Sequence, residues 1–262
     1  MSHDRACHPS SPDEIAALGP WFHNIHLPDG RETARGHCLG DFPSFKWERV
    51  QHVVPRDLRG WTVLDIGCNA GFYAIELAKR GARVRAVDVE PLYLEQARWV
   101  VDKFALNERI DIVEGHVYEL LASDECFDLV WFTGVFYHLK YAALALDLVR
   151  RATRRLMMFQ TMTMPGEEVM QTPPDLALDY REFMCETAWP KMAFIEHKIA
   201  NDATNWWAPN HACVEALLRA AAFRVVNRPE HEFYLCAPTE PFEAQDLARM
   251  RGTIGKRSTP PQ

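Results

Sequence analysis

The sequence predicts an α/β fold of the Rossmann-like, doubly wound kind. It consists of a mostly parallel seven-stranded sheet with helices on both faces, plus an N-terminal segment and an insertion acting as a lid. Three observations predict it. Short β-rich apolar runs alternate with helical stretches from residue 60 onward, the pattern of a parallel sheet covered on both faces. A glycine-bearing turn joins the first strand to the first helix, and an acidic residue ends the second strand, where such sheets receive ligands.

Taken in order, WTVLDIG is the first strand, GFYAIELAKR the first helix, and RVRAVDVE a second strand ending in an acid. PLYLEQARWVVDKFAL is a helix, RIDIVEG a short strand, and FDLVWFTGV a fourth strand bounded by glycine; residues 140–152 read as a helix and RRLMMFQT as the next strand. From 162 to 205 the alternation pauses in a stretch rich in proline, methionine and aromatic residues, including MPGEEVMQTPPDL and ETAWPKMAFIEH. Segments that long are functional or disordered, and the apolar content argues against disorder. NHACVEALLRAA then reads as a helix capped by Asn210, and FRVVN and HEFYLCA as the last strands. The expected organisation is a substrate or lid segment at 1–45, a catalytic domain at 46–240 whose 162–205 insertion covers the active site, and a polar tail at 241–262.

A formal charge of −7 and a pI near 5.9 disfavour non-specific binding to nucleic acid. No apolar run approaches the ~18 to 20 residues of a membrane span, and MSHDRACHPSSPDE lacks the basic and apolar regions of a secretion signal, so a cytoplasmic location is expected. The seven cysteines are scattered without a C-x-x-C pair and are expected to be reduced and mostly buried.

The turn after the first strand reads D65-I-G67-C-N69-A-G71. Glycines there let the backbone approach a ligand, and Asp88 at the end of the second strand is placed to accept hydrogen bonds from ribose hydroxyls. An adenosine-containing ligand is expected. Asn69 and Phe72 leave a dinucleotide G-x-G-x-x-G incomplete, and no Gly-Lys-Ser/Thr follows for a phosphate loop. The competing reading is a tight strand-to-helix connection in an unrelated doubly wound protein.

With Asp88, this turn resembles the class I S-adenosylmethionine-dependent methyltransferases, whose first motif runs D/E-x-G-x-G-x-G; by order of elements the resemblance covers about residues 46 to 236. It departs at Asn69, where the family has glycine, although Asn tolerates positive φ better than most residues. The resemblance implies S-adenosyl-L-methionine as cofactor. Asp65, Gly67, Cys68, Asn69, Gly71, Asp88 and Val89 would hold it, with Lys46, Val117, Thr133 and Gly134 along its length.

Three other stretches, G19-P20-W21, K46-W47-E48-R49-V50 and G134-V-F-Y137-H138, resemble a narrower family, the bacterial tRNA wobble-uridine alkyltransferases that finish 5-carboxymethoxy- or 5-methoxyuridine. That resemblance implies that Lys46 and Tyr137 lie close to the transferred group. The departures are that only about 45 residues precede Lys46, that His23 stands where the family has a basic residue, and that RPEHEFYLCAP offers no counterpart of its C-terminal arginine. Carboxylate recognition favours fixed positive charge, so these losses favour ordinary S-adenosylmethionine and methyl transfer.

Methyl transfer needs two oriented substrates and, for many acceptors, a proton acceptor, for which histidine is well suited. The candidates are Tyr137 and His138 at the end of the fourth strand, His23 and His26 in WFHNIHLPDG, and His211 beside Trp206 and Trp207. His138 competes with a mere strand cap, and the tryptophans with plain packing. H-x-x-H at 23–26 lacks a third ligand, so no metal is expected, and Glu196-His197-Lys198 reads as a solvated face. Trp21, His23 and His26 are expected in a lid over the methyl donor, with one histidine touching the acceptor. The expected acceptor is a small molecule methylated on O or N. The tRNA wobble uridine is the alternative, a non-catalytic cofactor-binding or interaction module is the rival of another class, and a homodimer is left open.

Overall fold

A strand covered on both faces is largely apolar, and FDLVWFT and TVLDI follow that pattern with Leu64, Leu129, Val130, Trp131 and Phe132 all buried, each strand also burying one aspartate, Asp128 and Asp65. The computed structural model describes residues 12–239 and 245–257. Its strands are β1 (Thr62–Ile66), β2 (Arg83–Asp88), β3 (Ile110–Glu114), β4 (Phe127–Thr133), β5 (Thr153–Gln160), β6 (Met192–Phe194), β7 (Trp207–Pro209), β8 (Phe223–Glu230) and β9 (Phe233–Pro238). Its helices are α1 (Pro12–Ala17), α2 (Ser44–Val50), α3 (Phe72–Lys79), α4 (Pro91–Lys103), α5 (Ala142–Ala152), α6 (His211–Ala220) and α7 (Gln245–Arg257).

Seven strands form one sheet in the order β3-β2-β1-β4-β5-β9-β8. β1 to β5 run parallel, and β9 enters antiparallel between β5 and β8. The strand order reverses between β1 and β4, so the loops leaving these two strands border one crevice, the usual ligand site of such sheets. One face is covered by α2, α3 and α4 around Trp47, Leu77, Val100 and Trp131, the other by α5 and α6 around Phe132, Leu146, Val214 and Phe223. Helix α5 shows why: Ala142, Ala145, Leu146, Val149 and Ala152 recur every three or four residues and all are buried.

The aperiodic insertion is largely exposed, and its β6 forms a small antiparallel ribbon with β7, which follows it. Its return is tied to the domain. Asn210 caps α6 by accepting from the Cys213 amide at 2.9 Å, while its Nδ2 donates to the carbonyls of Thr187 and Trp189. Trp206 and Trp207 flank Phe194, Lys140 lies over the Trp206 ring and Trp207 Nε1 donates to the Lys140 carbonyl, so both indoles pack the insertion against the domain. Glu196, His197 and Lys198 are exposed.

Four differences from the sequence reading have local causes. Within the C-terminal polar stretch, residues 245–257 are helical. Cys38, Cys126 and Cys185 are exposed because they sit in connections, whereas Cys68, Cys213 and Cys236 are buried; all six are free, and Cys7 lies outside the described residues. Trp21 does not lie over the strand ends: its Nε1 donates to the Ile15 carbonyl and its ring packs on Trp99 of α4. The buried Gln96 of α4 fixes this segment by donating to the carbonyls of Leu18 and Pro20. Finally, the His26 ring leaves the crevice, as described below. Among the described residues no helix is long and apolar enough to cross a membrane.

Candidate active site

The turn from β1 to α3 is built on backbone that side chains normally resist. Gly67 has φ +71°, and a Cβ there would overlap the Val135 side chain, so the position demands glycine for both conformation and space. Asn69 has φ 49°, as its tolerance of the left-handed region allows, and its Oδ1 accepts from the Ala70 amide. The Asn69 amide donates to Asp88 Oδ2 at 2.8 Å, and the amides of Val89 and Glu90 donate to Asp88 Oδ1 at 2.8 and 3.0 Å. The tips of β1 and β2 are thus locked together around one carboxylate. Cys68 is buried, and burial pushes its thiol far up, so it serves as wall rather than as reagent. Val89 is exposed, while Val117 and Thr133 are buried.

Asp65 is buried at the tip of β1, and its Oδ2 has no hydrogen-bond partner among the described residues. Burial, aided by the charge of Asp88, pushes its carboxyl up to about 8. A buried acceptor left unpaired is costly, and here it borders the glycine turn. Two more acids gather nearby: Tyr93 of α4 feels Glu90 and Asp202 as well as Asp88. The crevice therefore suits a ligand with positive charge and hydroxyl donors, and a nucleoside bearing a cationic tail fits that donor set.

Beyond the tip of β4, Tyr137 lies in a single helical turn, Phe136–His138. Gly134 has φ +75°, which favours glycine, and a Cβ there would stand 3.9 Å from the Tyr137 hydroxyl and 4.0 Å from Gln160 Oε1, so this residue borders both groups. Burial raises Tyr137 to about 12, with Glu232 and Asp202 adding to the effect, so the phenol stays protonated. Glu232, in the turn between β8 and β9, accepts from Gln160 Nε2 and from the Thr163 amide, both at 2.9 Å. Lys46 of α2 is lodged between the rings of Phe42 and Phe233; burial lowers its pKa and Glu232 opposes that. Sequence reasoning missed Glu232, Gln160, Tyr93 and Asp202. Only the position of Gln160 at the end of a parallel strand offered a signal.

His23 is buried among Phe22, Phe42 and Phe72, beside the glycine turn. Burial, with His37 and Lys46 adding charge repulsion, lowers it to about 3, so it is neutral where a fixed cation was sought. His26 corrects the expectation that it touches the acceptor: its ring pairs with Asp41 at 2.8 Å in a surface hollow between α2 and α3, lined by Trp47, Ile75 and Lys79 and by no strand tip. Asp41, which also binds Asn24, captures it. His211 is buried against the Tyr234 hydroxyl. With Glu167 and His231 it forms a cluster of possible metal ligands, but Arg228 Nη2 fills it, 2.6 Å from Glu167 Oε2 and 3.0 Å from His211 Nε2. Arg228 is thereby committed to this cluster, and Glu232 is the charged residue of that turn that faces Lys46.

With the strand tips, the glycine turn and the Asp88 clasp in place, residues 63–156 match the family described as "Methyltransferase domain". The chain carries a methyltransferase domain. The tRNA U34 carboxymethyltransferases of Marinobacter nauticus and Hahella chejuensis are 30% identical over 135 residues and 32% over 136, half of this chain in each case. The matches span 40% and 41% of those relatives, less than half their length. Around the methyltransferase domain the whole fold is similar to the N-terminal domain of EvdMO1 with SAH bound (TM-score 0.57, 16% identity, 86% of this chain and 94% of that one). It is also similar to magnesium protoporphyrin IX methyltransferase from Synechocystis PCC 6803 with bound SAH (TM-score 0.51, 14%, 75% and 82%). The fold is that of the S-adenosylmethionine-dependent methyltransferases.

Proposed function

We propose that this protein binds S-adenosylmethionine and transfers its methyl group to an oxygen or nitrogen of a small-molecule acceptor. The observation that carries the reading is the orphaned Asp65 Oδ2 beside the Gly67–Gly71 turn that Asp88 closes. Asp88 and the backbone of the turn would receive the ribose, Asp65 would accept from the amino-acid end, and Lys46, Tyr137 and Gly134 would border the sulfonium. When bound, the cofactor supplies an electrophilic methyl group activated by positively charged sulfur. The chain's own task is to hold the donor, exclude water and align the acceptor, since orientation accounts for much of the acceleration of such displacements.

A small acceptor is favoured by charge. Asp88, Glu90, Asp202 and Glu232 ring Tyr93 and Tyr137, while Lys46 is held inside; a polyanion would meet carboxylates first. Neutral His23 and the Glu232 facing Lys46 also suit a donor without a carboxylate. A second reading, methylation of a tRNA wobble uridine, is supported by the names of the relatives above. We place the reaction in the cytoplasm. The test is incubation with methyl-labelled S-adenosylmethionine and fractionated cell extract. Label is expected among small metabolites; label found only in RNA overturns the preferred acceptor. No label in any fraction, with binding of the cofactor that Asp88→Ala abolishes, supports a non-catalytic module instead.

A further inference from the structure

His138 closes the turn after β4, beside Tyr137, with ring centroids 4.3 Å apart. Its Nδ1 lies 2.8 Å from Thr204 Oγ1, and Thr204 Oγ1 lies 2.6 Å from Asp202 Oδ1. Both partners come from the insertion. Although partial burial pushes the Asp202 carboxyl up, the hydrogen bonds from the Thr204 hydroxyl and amide, with the charge of His138, hold it below its ordinary value. An ionised carboxylate only accepts, so the single hydroxyl proton of Thr204 is directed at Asp202. The hydroxyl oxygen then faces His138 as an acceptor, and the proton between them belongs to Nδ1. In the neutral ring this leaves the lone pair on Nε2.

We propose that His138 Nε2 accepts the proton from the hydroxyl or amine being methylated, and that Thr204 and Asp202 are positioning residues that hold the ring in the tautomer this requires. The proposal rests on the methyltransferase reading above. In the step, a lone pair of the acceptor forms the new bond to the methyl carbon. The carbon–sulfur bond breaks, its electron pair stays on sulfur, and the sulfonium becomes a neutral thioether. The acceptor's proton moves to Nε2, and the resulting imidazolium is compensated by Asp202 through Thr204 before the proton passes to water.

Asp202 is also felt by Tyr93 of α4, which borders Asn69, and by Tyr137. The insertion therefore reaches across from the cofactor turn to the acceptor side, and the base is complete only when this segment is in place. The charged and titratable groups around His138 are Asp202 from the insertion and Tyr137 from its own turn; Glu232 acts on Tyr137, and Lys140 lies over the Trp206 ring.

The decisive measurement is a proton–nitrogen correlation spectrum of the imidazoles in the full chain labelled with nitrogen-15 histidine, with His138→Gln identifying the signal. His138 is expected as the Nδ1–H tautomer in the wild type. In Asp202→Asn and in Thr204→Val the tautomers should mix, and in Asp202→Asn the imidazole pKa should fall because the compensating charge is gone. A wild-type Nε2–H ring, or a ring unchanged in both variants, overturns the proposal. With the extract fraction that takes up label, His138→Gln should lower kcat by about 10²- to 10⁴-fold. Asp202→Asn should move the acid limb of kcat to lower pH with the KM for the donor unchanged, and superimposable pH profiles overturn the role. Absence of label in every fraction overturns the methyltransferase reading and the base with it; uptake of label by a protein with an Nε2–H ring overturns the base alone.

Discussion

Asp65 shows what the free site costs. Its carboxyl, ordinarily at 3.8, stands at about 8 in the fold because it is buried near Asp88. Between these values the folded protein keeps a proton that the unfolded chain has lost, so this group subtracts stability progressively as pH rises from about 4 to about 8. Asp65→Asn removes that charge. Its stability relative to the wild type is expected to grow with pH by up to about 1.4 kcal/mol per unit in that window, while S-adenosylmethionine binding is lost. Urea midpoints at about pH 4.5 and 7.5, with calorimetric titration of the cofactor, check both; a difference that shrinks with rising pH refutes the assignment.

At the level of elements, Asn210 joins the cap of α6 to residues 187–191 of the insertion through four side-chain hydrogen bonds, accepting from Cys213 and Lys191 and donating to Thr187 and Trp189. Asn210→Ala is expected to cost about 1 to 2 kcal/mol as a cap. It should also speed amide exchange in residues 162–205 more than in β1 or β4; equal acceleration everywhere would show that the insertion is held independently. The elements themselves were legible in the sequence to differing degrees. The strands and the glycine turn were readable because their signals are local: unbroken apolar runs, and glycines beside Asp65. Glu232 was not, because it meets Gln160 across 72 residues, and neither periodicity nor propensity encodes such a meeting. Trp21 was misplaced for the same reason. Its lead-in looks like a lid until Gln96, 76 residues from Pro20, is found holding it to α4.

The molecule as a whole carries a formal charge of −7, and carboxylates crowd the site. Affinity for nucleic acid comes largely from phosphate neutralisation, which falls steeply with salt. Filter binding of tRNA at physiological salt is therefore expected to show no more than the roughly 10⁻⁴ to 10⁻⁶ M of non-specific association. Binding tighter than about 10⁻⁶ M at that salt would move the reading to the tRNA acceptor. The same distribution suits a cationic donor, so one set of charges would serve both the proposed donor and the proposed small acceptor.

The Trp206 amide donates to the Tyr137 carbonyl at 2.8 Å, joining the insertion to the turn beside the site. Because both partners are backbone, no exchange of one ordinary side chain for another deletes this link. Descendants of this chain can therefore vary the side chains around this turn and inherit the same backbone attachment; at position 206, proline alone removes the donor, and a lineage that acquired it would have to anchor the insertion elsewhere.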